Sequence, residues 1–111
     1  MELKNIAKNY FNAFQDKNLN ALSEMFDDSV TLKDWNINVL GKAAVLNANK
    51  EIFDSLNTIC VDIKMIYLYE NTIIAELDIT VDKQPEKLPV VDIITFNKMN
   101  KIKSIVAYRG N

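Results

Sequence analysis

The sequence predicts an α+β fold, because its apolar residues follow a helical period in the first half of the chain and a period of two after Asn57. Helices that precede a run of long antiparallel strands pack on one face of the sheet that those strands form. A chain of 111 residues with 49% hydrophobic residues is long enough for one core and too short for two. We therefore expect a single domain over residues 1–111.

The first half of the chain contains the predicted helices. The first covers 3–14 and has its apolar side chains on one face. A short second helix begins after a cap at Asn18 or Asn20, includes Phe26 in its buried stripe, and ends shortly after that residue. The third covers approximately 42–56. All three are expected to pack on the same side of the sheet.

The remaining segments are predicted strands. The first is short and ends at Asp34, which the alternation places on the same face as Val30 and Leu32. The others are longer, follow a period of two, and are expected to form two antiparallel hairpins. These long strands cover 61–69, 73–81, 90–96 and 102–108.

The predicted sheet has a second apolar face, which three helices are too few to cover. Strict alternation places on it the side chains of Ile66, Leu68, Ile74, Ile93, Ile105 and Ala107. A contiguous exposed apolar face usually marks an interface between proteins. We therefore expect the chain to form a homodimer through this face.

The composition excludes several partners and locations. Charged residues make up 25% of the chain and the formal net charge is -2, so nothing attracts it to a nucleic acid. No apolar run approaches the roughly 18 residues that span a bilayer, and the first residues lack the apolar stretch of a secretory signal. We expect no nucleic-acid partner, no membrane insertion and a cytoplasmic location.

The residue types also exclude most cofactors. The chain has no histidine, which excludes histidine-dependent catalytic triads and histidine-ligated zinc. Gly41 and Gly110 are its two glycines, too few for a phosphate-binding loop or a dinucleotide-binding turn. We expect no cofactor and no metal. The single cysteine, Cys60, has no partner for an internal disulfide and no histidine to activate it, so a buried structural thiol is predicted.

Asp92 is the clearest candidate for a functional residue. The period of two places it on the same face as Val90, Ile94 and Phe96. A carboxylate that is buried without partners is so unfavourable that such a group usually has a raised pKa and stays protonated. A protonated Asp92 is a hydrogen-bond donor. The alternative is a solvated residue at the edge of the sheet.

Tyr10 and Asp34 are weaker candidates. Ile6 and Phe14 flank Tyr10 at a spacing of four residues, so the hydroxyl of Tyr10 is expected to point into the interior. A tyrosine on an apolar helix face is usually part of the core, and an aspartate at the end of a strand usually belongs to a turn. The pattern alone therefore supports separate candidates and not yet a site.

Four segments that contain these residues resemble a known family when they are taken together. They are Tyr-Phe-Asn-Ala-Phe at 10–14, Leu-Ser-Glu-Met-Phe-Asp-Asp-Ser-Val-Thr-Leu-Lys-Asp at 22–34, Gly-Lys-Ala-Ala-Val at 41–45, and Val-Val-Asp-Ile-Ile-Thr-Phe-Asn at 90–97. Their order is similar to that in ketosteroid isomerase and in the wider NTF2-like, SnoaL-like group. The resemblance covers nearly the whole chain. It implies a cone-shaped fold, in which a curved sheet wraps around three helices and encloses a deep apolar cavity.

The resemblance also implies a role for each candidate residue. Asp34 looks like the general base, and Tyr10 and a protonated Asp92 look like the two donors that stabilise the oxyanion. The implied activity is a cofactor-independent isomerisation, of the steroid delta-isomerase type, of a hydrophobic carbonyl compound. Two alternatives stay open. One is a non-catalytic small-ligand-binding or dimerising module of the same fold, and the other is a SnoaL-like polyketide cyclase.

Overall fold

The computed structural model of the chain describes residues 2–110, and within them it contains three helices and one six-stranded sheet. The helices are α1 (Leu3–Gln15), α2 (Leu19–Met25) and α3 (Lys42–Ser55). The strands are β1 (Phe26–Lys33), β2 (Asn38–Leu40), β3 (Ile59–Tyr69), β4 (Thr72–Val81), β5 (Leu88–Phe96) and β6 (Ile102–Arg109). The predicted α+β fold, with a curved and mainly antiparallel sheet, is confirmed. None of the helices within the described residues is long and apolar enough to cross a bilayer.

The strand order brings distant parts of the chain together at one end of the sheet. The order is β2-β1-β6-β5-β4-β3, and every neighbouring pair is antiparallel except β1 and β6, which are parallel. Lys33 pairs with Val106, so Asp34, the next residue after β1, lies at the end of the sheet where β6 also finishes. Asp92 of β5 pairs with Ala107 at the same end. The parallel pairing is therefore what brings the end of β1 towards the middle of β5.

The second helix is one turn shorter than predicted, and a short strand was not predicted at all. Asn18, one of the two caps that were predicted, begins α2. Its side chain accepts a hydrogen bond from the backbone N–H of Ala21 at 3.1 Å. Phe26 does not continue the helix, because it begins β1 and pairs with Ile102. The unpredicted strand β2 is only three residues long, which is too short for a period to be recognised.

A β-bulge reverses the predicted faces of the second half of β3. The register between β3 and β4 shifts between Ile63 and Met65, so Lys64 is an extra residue in the ladder. Because side chains alternate along a strand, one extra residue inverts the faces of everything that follows it. Ile66 and Leu68 therefore lie on the helix-facing side of the sheet and not on the outer side, where strict alternation placed them.

A second bulge has the same effect on β6. Phe96 pairs with Ile102 and Thr95 pairs with Ser104, which makes Lys103 the extra residue. Two further predictions are consequently wrong. Ile105 and Ala107 were expected on the outer face and lie on the helix-facing side, where they pair with the inward residues Ile94 and Asp92. Ile105 is fully covered by the core.

The hydrophobic core lies between the helices and the helix-facing side of the sheet. Its largest fully buried side chains include Leu22 of α2, Leu77 of β4 and Phe96 of β5. Cys60 is not part of it. Cys60 pairs with Thr80 on the outer side of the sheet and is exposed, so the prediction of a buried thiol is wrong. The alternation of β3 before the bulge places Val61, not Cys60, towards the helices.

The outer side of the sheet carries an apolar row, and we predict that it forms the homodimer interface. The row runs across four strands through the consecutive pairs Tyr67–Ile74, Ile74–Ile93 and Ile93–Val106. Tyr67 is 50% exposed. Light scattering at micromolar concentration is expected to give twice the 12.7 kDa mass of the chain. Ile93→Glu, at the centre of the row, is expected to dissociate the dimer.

Lys98→Glu, a charge change in the exposed β5–β6 hairpin, is the matched control and should leave the dimer intact. A native protein that is monomeric under these conditions would contradict the prediction.

Candidate functional site

A cavity of about 280 Å³ lies between the helices and the helix-facing side of the sheet. Most of its wall is apolar, with side chains from α1, α3 and every strand except β2. The structure places all three candidate residues, Tyr10, Asp34 and Asp92, in this wall. Asn36 and Asn49 are the other amide or carboxyl side chains in it. A mainly apolar pocket with a few converging polar groups is typical of a small-molecule site.

Asp92 is buried at the centre of the sheet and only 9% exposed. Its neighbours across the ladder are Ala75 and Ala107, whose short side chains leave the carboxyl accessible from the cavity. Burial raises the pKa of Asp92 to about 7, and the negative charge of Asp34 adds to the effect. Near neutral pH a substantial fraction of Asp92 is therefore protonated and able to donate a hydrogen bond.

Tyr10 presents its hydroxyl to the same cavity from α1. The ring is held by aromatic neighbours, with Phe11 at 5.4 Å, Phe14 at 6.3 Å and Phe26 at 6.4 Å between ring centres. Burial raises the pKa of Tyr10 well above its usual value, and the charge of Asp92 raises it further. Asp92 acts on Tyr10 through its charge and not through a direct hydrogen bond. The hydroxyl of Tyr10 and the protonated form of Asp92 are thus two separate hydrogen-bond donors in the cavity wall.

Asp34 belongs to a turn and also lines the cavity. Its Oδ1 accepts hydrogen bonds from the backbone N–H groups of Asn36 and Ile37, both at 2.7 Å. Its own N–H donates to the carbonyl of Ile37 at 2.8 Å, which closes the turn between β1 and β2. These bonds orient the carboxylate through Oδ1, and Oδ2 is the oxygen that remains for accepting a proton. The turn role and the cavity role are therefore compatible.

Sequence reasoning missed Asn49. This side chain lies on the face of α3 that also carries Val45 and Phe53, four residues before and after it, and it is 2% exposed. Its Nδ2 atom is buried without a hydrogen-bond partner among residues 2–110. The signal was present in the sequence, because a polar residue that interrupts an apolar helix face is the helical equivalent of Asp92 in its strand.

Sequence reasoning also missed a pair of residues at the mouth of the cavity. Trp35 lines the cavity and is 40% exposed, so it lies where the cavity meets solvent. The guanidinium carbon of Arg109 is 5.7 Å from the centre of the Trp35 ring, a cation–π distance. Arg109 pairs with Val90, so it follows Ala107 on the helix-facing side. The bulge at Lys103 puts Arg109 on this side, so strict alternation along the sequence would have placed it on the outer side with Ala107.

The two adjacent acidic residues near the start of β1, Asp27 and Asp28, have local partners. Asp27 accepts hydrogen bonds from the N–H of Ser29 and from Asn97, and these bonds hold the pKa of Asp27 below its usual value. Asp28 lies 3.4 Å from the Nζ of Lys42. Throughout the part of the chain that the structure describes, there is no group of three or more His, Cys, Asp or Glu side chains placed to hold a metal ion.

Comparisons with known proteins agree with this architecture. A model of the SnoaL-like domain matches residues 7–105. A candidate ketosteroid isomerase from Kribbella flavida superposes with a TM-score of 0.85 at 12% identity, over 98% of this chain and 78% of its own. A candidate polyketide cyclase from Sinorhizobium meliloti gives a TM-score of 0.83 at 14% identity, over 96% and 99%.

The epoxide hydrolase/cyclase-like enzyme SalBIII, which has a role in pyran ring formation in the polyether salinomycin, gives a TM-score of 0.82 at 18% identity, over 97% of this chain and 90% of its own. Identities this low establish a shared fold and not a shared reaction. No curated protein matches the chain significantly.

Proposed function

Because the chain belongs to the SnoaL-like domain family, we propose that it catalyses a cofactor-independent proton transfer within a hydrophobic carbonyl compound. The observation that supports this proposal is the composition of one cavity wall. The hydroxyl of Tyr10, the carboxyl of Asp92 with its raised pKa, and the oriented carboxyl of Asp34 line the same apolar cavity. Together they are the groups that enolisation of a carbonyl compound requires.

In the proposed reaction, Asp34 removes a proton from the carbon next to the substrate carbonyl. The electrons of that C–H bond form the carbon–carbon double bond of an enolate, and negative charge develops on the carbonyl oxygen. Tyr10 and protonated Asp92 donate hydrogen bonds to this oxygen, in an apolar site where such bonds are stronger than in water. In a β,γ-unsaturated compound the enolate extends over that double bond, and Asp34 returns the proton to the γ-carbon. The double bond thereby moves into conjugation with the carbonyl, and no atom is gained or lost.

The surroundings of the two carboxyl groups support this division of roles. Burial raises the pKa of Asp92 to about 7, and the charge of Asp34 adds to the effect, which favours the protonated form of Asp92. The Oδ1 atom of Asp34 is held by hydrogen bonds from two backbone N–H groups, which leaves its Oδ2 atom to accept a proton. The proposed acid and the proposed base are therefore different side chains.

A polyketide cyclase is the second candidate, and it shares the first step. The carbon of an enolate formed by Asp34 would attack another carbonyl carbon of the same molecule and close a ring. The alkoxide formed from that carbonyl would then take the proton that Asp34 holds. The fold shared with the candidate cyclase from Sinorhizobium meliloti makes this alternative relevant. Activity that survives Tyr10→Phe would favour the cyclase, because its acid-base aspartate depends less on that hydroxyl.

Binding of a substituted phenolate tests whether Tyr10 and Asp92 form an oxyanion site. A phenolate oxygen resembles the charged oxygen of the enolate, so tight binding is expected. Tyr10→Phe is expected to weaken it by about 10- to 100-fold, which is the usual effect of losing a hydrogen bond to a charged group. Fluorescence or calorimetric titration measures the affinity. The matched control is Tyr69→Phe, which removes an exposed hydroxyl from the outer side of the sheet.

Weak phenolate binding that is indifferent to Tyr10→Phe would contradict the proposal. It would favour a third possibility, a non-catalytic module of the same fold that binds or presents a small ligand.

A further inference from the structure

Asn49 is a buried polar side chain of the cavity wall that the proposed mechanism leaves unused. It is 2% exposed and lines the cavity together with Tyr10, Asp34 and Asp92. Its Nδ2 has no hydrogen-bond partner among the residues that the structure describes. The apolar wall thus contains a hydrogen-bond donor to which the surrounding protein offers no acceptor.

Two physical arguments disfavour asparagine at this position in a protein that has only to fold. A buried amide donor without a partner loses the hydrogen bonds that it makes with water in the unfolded chain. Asparagine is also a weaker helix former than leucine, and Asn49 lies within α3. An apolar side chain of similar size would avoid both costs. An acceptor on a bound ligand would offset the first of them.

We propose that Asn49 donates a hydrogen bond from Nδ2 to a second oxygen of the ligand, distinct from the carbonyl oxygen held by Tyr10 and Asp92. This inference rests on the proposed function and specifies its substrate class. The ligand is a hydrophobic carbonyl compound with a further carbonyl, ether or hydroxyl oxygen on the side that faces α3. The terminal torsion of an asparagine side chain has a broad minimum, so the amide turns its nitrogen to the acceptor at little cost.

Two series of naphthols that differ in one acceptor test the proposal. The isomeric acetyl-2-naphthols carry a carbonyl oxygen, and the isopropyl-2-naphthols have nearly the same shape without it. In the native protein, at least one acetyl isomer is expected to bind about 3- to 10-fold more tightly than its isopropyl counterpart, the range for one net hydrogen bond. In Asn49→Leu this preference is expected to disappear, while the isopropyl compounds bind as they do to the native protein.

Thermal unfolding of Asn49→Leu gives a readout that does not depend on a ligand. The substitution is expected to raise Tm by about 4 °C or more, because it removes an unpaired buried donor and a weak helix former. A lowered Tm together with an unchanged acetyl preference would overturn the proposal, since the amide would then serve the fold by binding a buried water. Asn49→Ala, which is too small to clash, provides the same binding comparison if the leucine variant does not fold.

The outcomes distinguish this proposal from the proposed function. Naphthols that bind equally well to the native protein and to Tyr10→Phe would overturn the oxyanion site, and the comparison at Asn49 would still be measurable. The role of Asn49 alone would be overturned if the acetyl isomers bind the native protein no more tightly than the isopropyl isomers. It would also be overturned if the acetyl preference is equally large in Asn49→Leu. If no naphthol binds at all, both proposals fail.

Discussion

Asp34→Asn is expected to lower kcat by about 10²- to 10⁴-fold, the usual contribution of a positioned general base. The amide of asparagine cannot accept the proton from carbon. It keeps an Oδ1 atom, however, and so preserves the two hydrogen bonds from the N–H groups of Asn36 and Ile37 that hold the turn. The rate is measured with a β,γ-unsaturated ketone, whose conversion to the conjugated enone changes its ultraviolet absorbance.

A matched control distinguishes loss of the base from loss of the fold. Asp62→Asn makes the same chemical change at an exposed position of β3 and should leave kcat and Tm unaltered. Tm of Asp34→Asn should also remain near the native value, because the turn is retained. A rate that is unchanged in Asp34→Asn, with phenolate binding intact, would show that another group removes the proton.

Asp92→Ala is expected to lower kcat by about 10²- to 10³-fold, which corresponds to about 2.7–4 kcal/mol for the loss of one oxyanion donor. Asp92→Asn keeps an N–H donor at nearly the same place and should lose less. The pH profile gives a sharper test. Because an ionised Asp92 has no proton to donate, native kcat/KM is expected to fall as the pH rises through about 7, the pKa of this buried carboxyl in the free protein. The fall should be absent in Asp92→Asn.

The same carboxyl is expected to reduce the stability of the folded protein at higher pH. Its pKa is raised from 3.8 to about 7 in the folded state, so between these values the folded protein holds a proton that the unfolded chain has released. Stability therefore falls as the pH rises from about 4 to about 7, by on the order of 4 kcal/mol at 1.36 kcal/mol per pH unit. The free energy of unfolding, measured with urea, should fall across this range for the native protein and not for Asp92→Asn. The variant should therefore become the more stable of the two relative to its own value at pH 4. Equal pH dependence in both proteins would exclude Asp92 as its source.

The elements of the fold could be predicted where their pattern is local. Helical periodicity predicted α1 and α3 to within one residue at either end, and the cap at Asn18 marked the start of α2. The boundary at Phe26 was wrong because this buried side chain suits the end of a helix face as well as the start of a strand. Its pairing with Ile102, which is distant in the sequence, decides between the two.

The sheet faces show where local periodicity fails. The extra residues Lys64 and Lys103 carry no distinctive side chain, and a bulge exists only in relation to the strand that pairs with it. Beyond each bulge, every residue changes face. This is why Ile66 and Ala107 were placed on the outer side, although the elements that contain them were predicted correctly.

One residue of the cavity could have been predicted from the same pattern. Asn49 interrupts an apolar helix face as clearly as Asp92 interrupts an apolar strand. Its amide does not ionise, and the sequence prediction considered only carboxyl and phenol groups. A polar residue of any type on an apolar face is therefore the more useful criterion, because the cost of burying it does not depend on whether it ionises near neutral pH.

The sequence by itself determined that Tyr10 and Asp92 are polar groups on apolar faces, because the period of a helix or a strand is set by the backbone hydrogen bonds of that element alone. The periods place Asp34 only at the end of a strand. The family resemblance implied that it joins the other two, and the tertiary structure brings it into the same cavity wall. That outcome depends on the parallel pairing of β1 with β6 and on the bulge that turns Ala107 beside Asp92 towards the helices. Strand pairing and register are set by the burial of side chains far apart in the chain, which no local period records.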